Sequence, residues 1–133
     1  LFSIVLLGSF GDGSRTTATL YRELAARMAA VGHRLDASAG PVITNFPIWM
    51  AETQRIPALA LPNEPPADVL DLAREFRGTR YLILVGADTP HYPVDLDAGV
   101  PGAECFRELE LGPYAGPGPD PLDGTRAFEI GCR

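Results

Sequence analysis

Apolar residues along this chain change period several times, and each change marks an element. Between residues 14 and 32, Leu20, Leu24, Met28 and Val31 fall on one face of a 3.6-residue repeat, which predicts a helix. Ser14 or Thr16 can cap its start, and Gly32 stands where a left-handed stop belongs. PVIT, Pro41–Thr44, is a short β-branched run and reads as a buried strand. Asn45 then caps a short helix over Phe46–Gln54, with Pro47 tolerated in a first turn whose N–H groups have no partner anyway. Ile56-Pro57 forces extended backbone, and Ala58–Leu61 is a second strand closed by Pro62.

EPPADVLDLAREFRG carries the clearest helical pattern. Pro65 and Pro66 start it, Asp68 suits its positive end, Val69, Leu72, Ala73 and Phe76 line one face, and Gly78 stops it. Tyr81–Val85, YLILV, is a continuous apolar run, as expected of a central strand covered on both sides. Strands alternating with helices at short spacing predict parallel βαβ units. The expected fold class is therefore α/β, a three-layer Rossmann-like, mostly parallel sheet with a C-terminal antiparallel hairpin. The expected organisation is one domain over residues 1–133, with an N-terminal joint (1–13), a βαβ-type core (14–103) and the hairpin (104–133).

The hairpin follows a Pro-, Asp- and Gly-rich loop over residues 88–103. Cys105–Leu111 and Arg126–Cys132 both alternate with period two. Between them GPYAGPGPDPLDGT cannot be helical, and its Tyr114 offers either a docking surface or part of an irregular loop. If Leu111 faces Arg126, then Leu109 meets Phe128, Arg107 meets Ile130 and Cys105 meets Cys132. That register gathers Cys105, Leu109, Leu111, Phe128, Ile130 and Cys132 on one face. It leaves Glu108, Glu110 and Glu129 on the solvated other, with Glu108 and Glu129 as neighbours. It also pairs the only two cysteines, predicting a Cys105–Cys132 disulfide and an oxidising, extracytoplasmic compartment.

Composition removes several functions. The net charge is −6, and all 11 basic residues are arginine, without a basic run. Nucleic acid is therefore excluded as a partner, since phosphate backbones are bound by clustered Lys and Arg. With no lysine there is no Schiff-base nucleophile and no P-loop lysine. Leu1–Leu7 is too short to span a bilayer and is either a strand or the end of a membrane helix cut upstream, so the chain is expected to be an excised domain. The following GSFGDGSRTT spaces its glycines G-x-x-G-x-G rather than as a dinucleotide fingerprint, and Arg15 after Ser14 breaks the Walker pattern. It reads as a joint, with no cofactor expected. Two cysteines and two histidines without C-x-x-C or H-x-x-x-H spacing give no metal site.

In an open parallel sheet, ligands sit beyond the carboxyl ends of the strands. Here those ends carry Asn45, then Asn63 and Glu64, then Asp88, Thr89 and His91, the candidate ligand-binding set. Asp88 and His91 can also be read as a base and its orienting partner in a small hydrolase, or as a turn cap and a solvated loop residue. No G-x-S-x-G elbow accompanies them. Trp49 reads as core or as a carbohydrate platform.

The stretch VITNFPIWMAETQRIPALALPNEPPADVLDLAREFRGTRYLILVG resembles the soluble C-terminal domain of polyprenyl-phosphate-dependent membrane glycosyltransferases, those related to protein mannosyltransferases and the aminoarabinose transferase. The likeness covers roughly residues 41–86. It implies an extracytoplasmic domain of a membrane protein, attached to the membrane-embedded part of its parent chain. Through that parent it would meet a polyprenyl-linked sugar or an acceptor. The family's catalytic acidic residues lie between early membrane helices and match nothing here, so the resemblance implies a non-catalytic accessory domain. A stand-alone small-molecule-binding module is the other expectation.

Overall fold

Helix α1 occupies residues 18–30, and its inward face is Tyr21, Leu24 and Met28, all buried. Val31, expected on that face, is 41% exposed because the helix has already ended. Gly32 (φ 90°) turns the chain, and the His33 N–H returns to the Met28 carbonyl while the Gly32 N–H returns to Ala29. These paired bonds satisfy carbonyls that the helix end would otherwise leave open. The computed structural model describes residues 18–36, 38, 40–45, 51, 55–61, 65–86, 96 and 100–132. The expected joint (1–13), Trp49 and most of the helix expected over 46–54 lie outside them.

Strands β1 (Val42–Thr44), β2 (Ala58–Ala60) and β3 (Tyr81–Leu84) form where the apolar runs predicted them. Helix α2 (Pro66–Glu75) lies between β2 and β3, with Pro65 and Pro66 at its start and Asp68 in its first turn. Its buried face is Pro66, Val69, Leu70 and Ala73. Phe76, expected there, is 42% exposed, because it already lies past the last helical residue in extended backbone. Strands β4 (Phe106–Glu108) and β5 (Arg126–Ile130) complete the sheet.

The strand order is β2-β1-β3-β5-β4. β1 pairs in parallel with β2 and β3, while β5 pairs antiparallel with both β3 and β4. The sheet is thus five-stranded, mixed and mostly parallel in direction, with β5 alone reversed. The hairpin is not an appendage: its second strand lies against β3, inside the sheet. Alternate strand residues divide between two clusters. Val42, Tyr81, Ile83 and Ala127 pack with Tyr21, Leu24 and Met28 of α1. Ile43, Leu82, Leu84, Phe106, Phe128 and Ile130 pack with Val69, Leu70 and Ala73 of α2. Each fully buried aliphatic side chain contributes about 1.5–3 kcal/mol, so the two clusters carry the fold.

The β4–β5 register differs from the expected one by a single residue. Phe106 faces Ile130, Arg107 faces Glu129 and Glu108 faces Phe128. Leu109 continues this ladder by donating to the Ala127 carbonyl, and it joins the α1 cluster, away from Phe128 and Ile130. The carboxylates separate as well. Glu108 is bound by Arg126 and Glu129 by Arg107, so they are not neighbours on a solvated face. Alternation misleads here because both faces of the hairpin carry buried apolar residues, Leu109 and Ala127 on one and Phe106, Phe128 and Ile130 on the other, leaving no wholly polar side to align. The disulfide nevertheless forms: Cys105 and Cys132 are bonded, with Cα atoms 5.1 Å apart. Cys105 lies opposite Gly131, whose N–H it accepts, and the bridge reaches one residue diagonally.

Candidate functional site

Of the residues expected at the carboxyl ends of the strands, Asn45 is described. Asn63, Glu64, Asp88, Thr89 and His91 lie outside the described residues, and with them the reading of Asp88 and His91 as a catalytic pair. Asn45 bonds across the sheet to Val85. Its Nδ2 donates to the Val85 carbonyl at 3.0 Å, and its Oδ1 accepts the Val85 N–H at 2.8 Å. The amide thereby extends the β1–β3 ladder by one side-chain rung after the strands diverge. Val85 is buried, so both of its backbone groups need these bonds. Next to it Gly86 donates to Thr125 Oγ1, tying this end to the start of β5.

A second polar assembly lies at the amino ends of β1 and β3. The register places Val42, Tyr81, Glu129 and Arg107 in one row across four strands. The Gly32 turn brings His33 over that row. His33 Nδ1 is 3.2 Å from the Tyr81 hydroxyl and 3.4 Å from Glu129 Oε2. Glu129 Oε1 takes Arg107 Nη2 at 2.5 Å. The His33 and Tyr81 rings meet edge-on, 5.8 Å between centroids. Nδ1 either donates toward these oxygens or accepts from the Tyr81 hydroxyl, according to the tautomer of the ring. Burial pushes the Tyr81 phenol above its ordinary range, and the nearby Glu129 carboxylate adds to the shift. The ring thus links the Tyr81 hydroxyl to the Glu129–Arg107 ion pair.

This row was not legible from the chain because its members come from three strands and a helix terminus. The only local signal is His33 directly after the Gly32 stop. The β4–β5 register then supplies the rest by setting Glu129 between Tyr81 and Arg107.

The loop between β4 and β5 is tied down from α1. Arg27 Nη1 meets Asp120 Oδ1 at 2.8 Å, and Arg27 Nη2 donates to the Gly112 carbonyl. The Leu122 N–H and then Arg27 hold the Asp120 carboxyl below the usual range. Tyr114 donates to the Pro117 carbonyl within its own loop. Two clefts of about 550 Å³ and about 330 Å³ lie beside this region and share Glu108, Leu109 and Glu110 as wall residues. The first adds Arg27, and the second Val31 and His33. Among the described residues, no group of three or more His, Cys, Asp or Glu side chains is placed to hold a metal ion.

No protein-family model matches the chain, and neither a curated protein nor a solved structure does.

Proposed function

We propose that this chain is a non-catalytic extracytoplasmic domain of a membrane glycosyltransferase, helping to position the acceptor for the membrane-embedded part of its parent. The Cys105–Cys132 disulfide carries the compartment half of this reading. Disulfides persist in oxidising surroundings and are rare where thiols are kept reduced. The glycosyltransferase half rests on the resemblance over residues 41–86, whose strand–helix–strand layout fits β1, β2, α2 and β3. A Rossmann-like three-layer arrangement belongs to the same reading, with α1 and α2 on opposite sides of the sheet. It is supported by the two separate apolar clusters.

The parent gene tests the assignment: it should encode hydrophobic membrane spans upstream of Leu1. Mass spectrometry of the protein from its native compartment, without reductant, should find Cys105 and Cys132 joined. Two free thiols there, or a parent gene without membrane spans, would overturn the reading. The alternative of a small-molecule module at the carboxyl ends of the strands loses one contributor, because the Asn45 amide is occupied by Val85.

A further inference from the structure

We infer that the outer edge of β4, together with the flank of α1, forms a groove that accepts an extended peptide of alternating aliphatic and basic residues as an added strand. Among the described residues, β4 is the last strand on its side of the sheet. Its bonds to β5 run through Cys105, Arg107 and Leu109, since Gly131 donates to Cys105 and Leu109 donates to Ala127. Antiparallel pairing alternates, so Phe106, Glu108 and Glu110 turn their backbone groups outward. The Phe106 N–H is taken by the Ala103 carbonyl. The N–H groups of Glu108 and Glu110 have no such partner among the described residues.

A row of open donors is a template for another strand. The two clefts share Glu108, Leu109 and Glu110 of this segment; the larger reaches on to Leu122, Thr125 and Arg126 beside β5, the smaller to Val31, His33 and Arg107. α1 forms the opposite wall through Arg27 and Val31, which lie four residues apart on one helix face. An added strand would therefore find backbone donors on one side and side-chain clefts on the other, the arrangement that gives strand addition both affinity and selectivity.

Charge selects the occupant. Arg27 is neutralised by Asp120, Arg107 by Glu129, and Arg126 by both oxygens of Glu108. Glu110 is left as the wall charge without an ion pair among the described residues, on a chain of net charge −6. A second copy would bring an identical edge, and acidic side chains facing each other destabilise pairing. Lysine or arginine at alternate positions meets Glu110, while the intervening aliphatic side chains meet Val31 and Leu109. The inference does not depend on the compartment, so it stands or fails separately from the glycosyltransferase reading.

Amide hydrogen exchange and chemical-shift mapping on the intact chain test it. In the free protein, the Glu108 and Glu110 amides should exchange freely. Acetyl-(Val-Lys)₃-amide should slow both and shift resonances within residues 106–111 and 27–33. Glu110→Lys should weaken that binding about tenfold or more, equivalent to about 1.4 kcal/mol. Glu110→Pro, which removes an outward N–H and leaves the β5 ladder untouched, should abolish it. The peptide acetyl-(Val-Glu)₃-amide should not bind. Protected Glu108 and Glu110 amides in the free protein, equal binding of the acidic peptide, shifts confined to another surface, or a dimer paired through this edge would each overturn the proposal.

Discussion

The two ends of the β1–β3 pair are finished by opposite means. At the carboxyl end one neutral side chain, Asn45, completes a backbone ladder and meets the buried groups of Val85. At the amino end four ionisable or polar side chains, His33, Tyr81, Glu129 and Arg107, are strung across three strands. Just beyond them the Cys105–Cys132 bridge closes the sheet corner. The first end is stabilised by satisfying what burial would orphan. The second is partly open to water, so its charges add little to stability. Among the described residues, the ionisable side chains gather at the amino end, although ligands in open parallel sheets usually sit at the other.

Breaking each end in turn separates these roles. Replacing both cysteines by alanine should have the largest effect, about 3 kcal/mol in chemical denaturation, because the cross-link restricts the unfolded chain. An equal loss should follow from adding reductant to the native protein. Asn45→Ala should cost about 2 kcal/mol, since it removes both hydrogen bonds that the amide makes to the buried backbone of Val85. Were Asn45→Ala to melt like the parent protein, the ladder-extending role would be wrong. Tyr81→Phe should cost about 1 kcal/mol, the worth of one ordinary hydrogen bond. Arg107→Ala should cost no more than about 0.5 kcal/mol, because its side chain is 70% exposed.

Titration sharpens the contrast further. Burial raises Tyr21 to about 12 and, with help from Glu129, raises Tyr81 as well. A phenol that ionises later in the folded state favours folding below its unfolded pKa of about 10 and loses that advantage as pH rises. Melting temperature should therefore fall from about pH 10 upward. For Tyr21 the loss extends to about pH 12. Tyr21→Phe should flatten this slope. Glu129→Gln should lower the Tyr81 transition seen by phenolate absorbance without moving that of Tyr21. An unchanged Tyr81 transition would show that its carboxylate neighbour has no influence.

Elements were legible where the signal was local. YLILV became a buried strand, the double proline opened α2, and Gly32 and Gly78 turned the chain with positive φ after each helix. Gly40 was not singled out, and its requirement is tertiary: a Cβ there would lie 2.1 Å from the Gly78 carbonyl oxygen. The helix faces were misjudged at their ends, at Val31 and Phe76, where periodicity runs on but the helix does not, and at Tyr21 and Leu70, which are buried without having been placed on the inward face. The candidate site fared worse. Asn45 was found for its place at a strand end but not for its bond to Val85, and the His33 row went unseen.

Hydrophobic period, proline and glycine thus determined which segments become strands and helices, because those preferences act within a few neighbouring residues. The position of the cysteines likewise foretold their bond, since a shift of one residue still leaves them within reach. Only the tertiary structure decided that β5 enters the sheet beside β3, which way each hairpin residue faces, and which polar groups meet. Both faces of the hairpin carry buried apolar residues, so alternation alone is satisfied by either register. The choice between registers then falls to partners distant in the chain.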